Sequence, residues 1–105
     1  MKNWEGMNKI ISYLGFAKRS NNLITGQTAL KKTKEKLSLV LVCSTASENL
    51  VNLAKNLGVK HNCQYIVTKI NLAELINEKD IKIVGILEEN LSKAIIENKE
   101  KISIG

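Results

Sequence analysis

The 105-residue sequence predicts an α/β fold in which helices cover both faces of a small mixed four-stranded sheet, a three-layer α/β/α sandwich. Three observations support this fold class. Apolar residues alternate along the chain between helical spacing and short continuous runs typical of strands. The chain has no proline, no Gly/Ser-rich linker and no internal repeat, so we predict one domain over residues 1–105. This length lies near the commonest domain size and supports a single core.

The amino-terminal residues predict a helix preceded by a short leader. Apolar side chains recur at helical spacing from Met7 onward. The residues of this stripe are Ile10, Ile11, Leu14 and Ala17. We expect the helix to end near Lys18, and we interpret residues 1–6 as a loose leader because the pattern begins after them.

A very short strand and a second helix follow in the prediction. Asn21-Asn22 is typical of a turn, and Leu23-Ile24 predicts an extended segment. Thr25 carries a side-chain oxygen suited to an N-cap, so we expect a helix over residues 26–36. Three of its residues are expected to face inward, namely Ala29, Leu30 and Thr33. Its lysines are expected to remain outside, namely Lys31, Lys32, Lys34 and Lys36.

The hydrophobic period changes after residue 36. Residues 37–43 (LSLVLVC) are nearly all apolar and rich in β-branched side chains, which predicts a strand buried on both faces. Residues 64–67 and 81–87 predict two further strands. With helices between and after them, the predicted order is α, β, α, β, α, β, α, β, α.

The helices between these strands carry their own boundary motifs. Residues 45–48 (TASE) match a capping box, and Gly58 is the expected C-cap of the helix that follows. Thr68 or Asn71 is expected to start the next helix. A last helix is expected over residues 89–98.

The excess positive charge of the chain lies in its first third. Residues 1–36 hold eight basic groups and two acids, whereas residues 37–105 hold eight of each, so the net charge of +6 belongs to the first segment. Such segregation indicates a polyanionic partner, because an even scatter of charge would serve solubility equally well. We expect that partner to be RNA.

The candidate binding site is the predicted start of the second helix. The N–H groups of its first turn point outward at the positive end of the helix dipole, and Gly26 permits close approach of a ligand. Gln27 and Thr28 offer side chains that can bond base edges. Nearby cations would bind phosphate, namely Lys18, Arg19, Lys31 and Lys32. A capped surface helix with a solvated lysine face is the alternative interpretation.

Three segments of the chain together resemble a known family. They are GFAKRSNNLITGQTALKK at residues 15–32, LSLVLVCSTASENL at residues 37–50 and IVGILEENLSKAI at residues 83–95. Their joint order and spacing resemble the YlxQ-like bacterial proteins of the kink-turn RNA-binding ribosomal protein superfamily. The resemblance extends from about Met7 to Asn98. It implies the same α/β/α sandwich and an RNA-binding role without catalysis.

The resemblance also implies particular site residues. Kink-turn binders open this helix with a Gly-x-Asn-Glu-x-x-Lys pattern that reads sheared G·A pairs, and Gly26 and Lys32 match its ends. Thr28 stands where the family has Asn, and Ala29 stands where it has Glu. A loop before the last strand covers a flipped-out base in the family; here it is the charged segment 77–81, which includes Lys79. We therefore expect RNA binding that is weaker, more salt-sensitive or directed to a related motif.

Catalysis and cofactor or metal binding are not indicated. Cys43 ends a predicted strand just before a helix, but the one histidine, His61, lies at the far end of that helix and no base can be assigned to activate the thiol. We therefore interpret Cys43 as a buried hydrophobe. His61 and Cys63 supply at most two metal ligands. The glycines match neither a dinucleotide-binding motif nor a P-loop. The pair Glu88-Glu89 is typical of a first helical turn. We predict a protein that is not an enzyme.

Composition indicates compartment and partners. Two cysteines make no disulfide framework and no apolar run reaches bilayer length, so we predict a cytoplasmic protein with no membrane partner and no small-molecule substrate. The expected partners are a structured RNA, either kink-turn-like or ribosomal, and ribosome-associated proteins. A protein-interaction adaptor with the same fold, or a domain that presents RNA to a partner enzyme, are the alternatives.

Overall fold

A computed structural model describes residues 2–98 of the chain, with side chains described from residue 9 onward. Helices and strands alternate through these residues in the predicted order. The helices are α1 (Lys2–Arg19), α2 (Gln27–Lys32), α3 (Glu48–His61), α4 (Leu72–Ile76) and α5 (Glu89–Glu97). The strands are β1 (Leu23–Thr25), β2 (Leu39–Cys43), β3 (Gln64–Thr68) and β4 (Ile83–Ile86).

The strands form one mixed sheet in the order β1-β4-β2-β3. β1 and β2 both run antiparallel to β4, whereas β2 runs parallel to β3. These directions give the sheet two distinct ends. The upper end holds Thr25, Cys43, Thr68 and Ile83. The lower end holds Leu23, Leu39, Gln64 and Ile86.

Helices cover both faces of the sheet. α1, α4 and α5 share one hydrophobic cluster with the sheet, and α2 and α3 share the other. Every residue of β2 is buried, as its apolar sequence predicts. Its side chains alternate between the clusters because successive strand residues point to opposite faces. Leu39, Leu41 and Cys43 join the first cluster, and Val40 and Val42 join the second. The predicted three-layer sandwich is confirmed.

The first helix is longer than predicted. α1 already includes residues 2–6, so the expected loose leader is wrong there, and Met1 lies outside the described residues. Residues 2–6 contain no proline and one glycine, Gly6, and a glycine inside a helix costs only about 1 kcal/mol relative to alanine. The helix therefore continues through residues that lack an apolar stripe.

The second helix is shorter than predicted, and its N-cap is Gly26 rather than Thr25. Thr25 is the last residue of β1, where it pairs with Val84. The helix ends at Lys32 because Thr33, a β-branched residue, adopts an extended backbone with φ −64° and ψ 138°. Leu30 is buried as expected, but Ala29 is exposed, since so short a helix turns only one side toward the sheet.

The boundaries of α3 also differ from the motifs that predicted them. Its N-cap is Ser47, whose hydroxyl accepts the Leu50 N–H at 3.2 Å, so the capping box at residues 45–48 is wrong. Gly58 does not end the helix, which continues to His61 and ends at the left-handed Asn62. Gly58 serves packing instead, because a Cβ there would lie 2.9 Å from the carbonyl oxygen of Cys63.

The remaining elements lie close to their predicted positions. Asn71, one of the two expected starting residues, caps α4 by accepting the Glu74 N–H at 3.2 Å. β2 and β4 are shorter than the apolar runs that predicted them, and α5 ends one residue earlier than expected. Among the helices of residues 2–98, none is long and apolar enough to cross a membrane.

Candidate nucleic-acid interface

Gly26 connects β1 to α2 at the upper end of the sheet. Its backbone has φ 86° and ψ 152°, a conformation that is costly for residues with a side chain. Its N–H donates to the carbonyl of Ile83 at 3.0 Å, and its carbonyl accepts the Leu30 N–H at 3.1 Å. The Gly26 N–H is therefore engaged within the fold, which corrects the expectation that it faces a ligand.

The start of α2 presents side chains rather than a strong helix dipole. Within the described residues no side chain caps this helix, since Gly26 has none to offer. Gln27 and Thr28 are both exposed, as a base-reading role requires. The helix has six residues, fewer than two turns, so its dipole is weak and nearby cations dominate the electrostatics.

The lysines that follow are divided between two parts of the molecule. Lys31 and Lys32 are exposed in the last turn of α2. Their positive charge is favourable there, because the carboxyl-terminal end of a helix is the negative end of its dipole. Lys36 lines a cavity of about 360 Å³ together with Asn62 and Gln64, at the lower end of the sheet. Of the predicted lysine cluster, the structure therefore keeps only Lys31 and Lys32 on the same short helix as Gln27 and Thr28.

Lys18 reaches the upper end from the last turn of α1. Its ammonium donates to the carbonyl of Ile76, at the end of α4, and lies 3.6 Å from Oε2 of Glu78. About 41% of its side chain stays exposed. Lys18 therefore contributes positive charge to the upper end, although a carboxylate offsets part of that charge.

Arg19 does not join Lys18. The Nη1 atom of Arg19 lies over Gly15, one turn earlier in α1, at 3.3 Å from the position that a Cβ would take there. The guanidinium therefore packs along its own helix, whereas the Lys18 ammonium reaches α4. Lys18 and Arg19 are adjacent in the sequence, but their charged groups contact different parts of the molecule.

Glu78 belongs to the predicted base-covering loop, but the sequence did not single it out as a site residue. Its Oε1 accepts a hydrogen bond from the Thr25 hydroxyl at 3.0 Å, and Oε2 faces Lys18. The carboxylate thus ties the loop of residues 77–82 to both β1 and α1. Fifty-three positions separate it from Thr25, so no local motif could have paired them.

The loop of residues 77–82 completes the upper end beside Gly26. Ile81 lies 3.5 Å from the position of a Gly26 Cβ, so loop and glycine are in contact range. Lys79 is exposed in this loop, next to Glu78. Asn77 and Asp80 both have left-handed backbones, with φ 56° and 63°, which fold the loop tightly. We call the residues Lys18, Gly26, Gln27, Thr28, Glu78 and Lys79 the upper surface.

A cavity of about 280 Å³ also opens at the upper end. Cys43 lines it from the end of β2 and Ser44 from the turn that follows, while Lys69 and Lys82 supply its cations. It lies beyond the carboxyl ends of two parallel strands, a usual ligand position in α/β proteins. The Cys43 thiol is buried and donates to the carbonyl of Ile70 at 3.5 Å, in keeping with its predicted packing role.

His61 and Cys63 lie at the lower end, away from this surface. Burial lowers the pKa of His61, and Lys60 and Lys36 lower it further. Burial raises the pKa of Cys63, which Lys36 partly opposes, so its thiol is not activated. In the part of the chain that the structure describes, no three His, Cys, Asp or Glu side chains gather in a group that could hold a metal ion.

The fold has a counterpart among solved structures. The chain is similar to a protein with unknown function from Bacillus halodurans C, with a TM-score of 0.71 and 18% sequence identity. The similarity covers 87% of this chain and 96% of that protein. At this identity it shows the α/β fold alone. No family model matches the chain, and no curated protein matches it either, so the YlxQ-like resemblance stays a prediction.

Proposed function

We propose that this chain is a non-catalytic RNA-binding protein that docks a structured RNA on the upper surface and the adjoining last turn of α2. One observation carries the proposal: exposed Gln27 and Thr28 share a short helix with two exposed lysines. The loop of residues 77–82, whose Ile81 lies beside Gly26, carries a further exposed lysine, Lys79. Hydrogen-bonding side chains next to cations are the combination that RNA recognition requires.

The side chains of this site contact different parts of the RNA, according to their chemistry. Lys31 and Lys32 are exposed ammonium groups that bind phosphates as point charges. Gln27 offers both donor and acceptor atoms, and Thr28 offers a hydroxyl, so these two contact base edges. Because the Gly26 N–H already bonds Ile83, that amide is not available to RNA, and the exposed side-chain cations supply the phosphate contacts.

A specific observation favours a second candidate, the protein-interaction adaptor. β3 lies at the border of the sheet, paired with β2 alone among the described strands, and it carries no charge. Edge strands usually carry charges that discourage pairing with other chains. Val59, 78% exposed, and Tyr65, 39% exposed, line with Lys55 a groove of about 580 Å³ beside it. An extended segment of a partner, with an acidic side chain opposite Lys55, fits that edge.

Charge reversal separates the two candidates. The double variant Lys31→Glu with Lys32→Glu should weaken binding of an RNA hairpin at least about tenfold and reduce the log–log salt slope by about one to two. The matched control reverses two exposed lysines of α3, Lys55→Glu with Lys60→Glu, and should change RNA affinity little. Fluorescence anisotropy with a kink-turn hairpin and a hairpin of equal length without the kink measures both variants.

The outcomes test the location of the RNA site separately from RNA binding itself. If both double variants lose affinity equally, binding is a general attraction to a basic protein and the proposed site is wrong. If the wild-type protein binds neither hairpin at moderate salt, RNA binding is wrong and the adaptor becomes the favoured function.

A further inference from the structure

Glu78 places a carboxylate among the cations of the upper surface. The Thr25 hydroxyl donates to one of its oxygens at 3.0 Å, and the Lys18 ammonium lies 3.6 Å from the other. About 37% of its side chain is exposed. The group is thus held in position at both oxygens and still reaches the surface on which the proposed function rests.

The contacts that Glu78 makes with the described residues leave part of its hydrogen-bonding capacity unused. A carboxylate has about four lone-pair sites and accepts only. The Thr25 hydroxyl occupies one of them, and Lys18 at 3.6 Å is beyond good hydrogen-bond distance. A phosphate cannot use the remaining sites because it also only accepts, and its charge repels the carboxylate. Donors on a nucleobase can.

We propose that Glu78 is a specificity-determining residue of the RNA site and accepts hydrogen bonds from an unpaired guanine. This inference rests on the proposed RNA-binding function. Two carboxylate oxygens match two adjacent donors, and guanine is the base that carries such a pair on its Watson–Crick edge, at N1 and N2. The Thr25 hydroxyl and the Lys18 ammonium position the carboxylate for this role.

A purely structural role for Glu78 makes a different prediction. If the carboxylate only anchors the loop of residues 77–82 to β1, its loss weakens the fold and affects all RNAs alike. If it reads a base, its loss changes the ranking of RNAs. The ranking is therefore the readout that separates the two roles.

The test compares wild-type protein with Glu78→Gln on three single-stranded dodecamer RNAs. Each is a uridine dodecamer with guanosine, inosine or adenosine at one central position, so none is self-complementary, and inosine lacks only the N2 amino group of guanosine. Glu78→Gln keeps an oxygen for the Thr25 hydroxyl but removes the charge and places a donor where an acceptor stood. Glu74→Gln, on the exposed side of α4, makes the same charge change and is the matched control.

The wild-type protein and Glu74→Gln should bind the guanosine RNA at least about fivefold more tightly than the adenosine RNA, with the inosine RNA between. In Glu78→Gln this preference should fall below about twofold, while affinity for the adenosine RNA rises because a repelling charge is gone. A preference that survives Glu78→Gln, or is missing from the wild-type protein, overturns the inference and leaves RNA binding intact. If the wild-type protein binds none of the three RNAs, the inference is overturned, whereas the hairpin titration described above decides whether the proposed RNA-binding function stands.

Discussion

The backbone N–H of Leu37 donates a hydrogen bond to Nδ1 of His61 at 3.1 Å, and this bond joins the approach to β2 with the last turn of α3. An accepting Nδ1 carries no proton, so the folded protein holds the imidazole neutral with its proton on Nε2. Nε2 is buried and has no hydrogen-bond partner among the described residues. Burial, with help from Lys60 and Lys36, accordingly lowers the pKa of His61 below its ordinary value of 6.5.

This bond predicts a loss of stability in mild acid. Because the folded pKa lies below the unfolded value of 6.5, the unfolded chain takes up a proton first as the pH falls. The free energy of unfolding should therefore be highest above about pH 6.5 and decrease below it, until the folded imidazole also protonates. A tenfold difference in proton affinity corresponds to about 1.4 kcal/mol. Urea unfolding between about pH 5 and pH 8 measures the effect.

The control for this prediction is His61→Asn, whose side-chain oxygen can still accept the Leu37 N–H. That variant should be nearly flat over the same pH range. An equal dependence on pH in both proteins would assign the effect to other groups.

Gly85, in the middle of β4, should not tolerate alanine. A Cβ there would lie 2.6 Å from Cδ2 of Leu30 and 2.8 Å from Cδ2 of Leu37, both fully buried. We expect Gly85→Ala to lower the free energy of unfolding by about 1–3 kcal/mol through overpacking.

Gly15→Ala is the matched control in α1, where the nearest atom belongs to the exposed and flexible Arg19 side chain. It should raise stability by up to about 1 kcal/mol, because alanine favours a helix interior. Urea unfolding measures the free energy of unfolding of both variants. A Gly85→Ala protein as stable as the wild type would contradict the packing described around Gly85.

The hydroxyl of Ser47 should stabilise α3, and that of Thr45 should not. Ser47 accepts the Leu50 N–H at 3.2 Å as the N-cap, whereas the capping box that would use Thr45 does not form. Ser47→Ala should therefore cost about 1 kcal/mol, and Thr45→Ala should stay near zero. Thermal unfolding of the two alanine variants measures this difference. A Thr45→Ala protein less stable than Ser47→Ala would contradict the assignment of Ser47 as the N-cap.

Single-cation variants should separate Lys32 from Arg19. Both side chains are exposed, but Lys32 shares α2 with Gln27 and Thr28, whereas the Arg19 guanidinium lies over Gly15 on α1. Lys32→Ala should weaken RNA binding and reduce the log–log salt slope by about one, and Arg19→Ala should leave both nearly unchanged. Anisotropy titrations over a range of salt measure the slopes. Equal losses in the two variants would show that RNA contacts Arg19 as well as Lys32 and that the site extends along α1.

The parts of the fold that local pattern controls were predictable. The apolar run of β2 predicted a strand buried on both faces, and its five residues are all buried. The side-chain oxygen of Thr25 predicts a helix N-cap. Pairing with Val84 and a hydrogen bond to Glu78 instead hold this residue in β1. Gly58 likewise remains within α3, because the Cys63 carbonyl approaches it.

The site was predictable only in part, for the same reason. The exposure of Gln27, Thr28 and the α2 lysines follows from their helix. The engagement of the Gly26 N–H by Ile83 depends on strand pairing across more than fifty residues, which no motif reports. Charge counts could show that the first third is basic, but not that Lys36 lies at the lower end of the sheet.

The most direct test of the central claim is to map RNA contacts on the isotope-labelled protein by NMR during titration with a kink-turn hairpin at moderate salt. The account predicts that the largest shift changes fall on the amides of residues 26–32 and 77–82, with little change in α3. Changes concentrated on α3 and β3, or spread evenly over every exposed lysine, would contradict it.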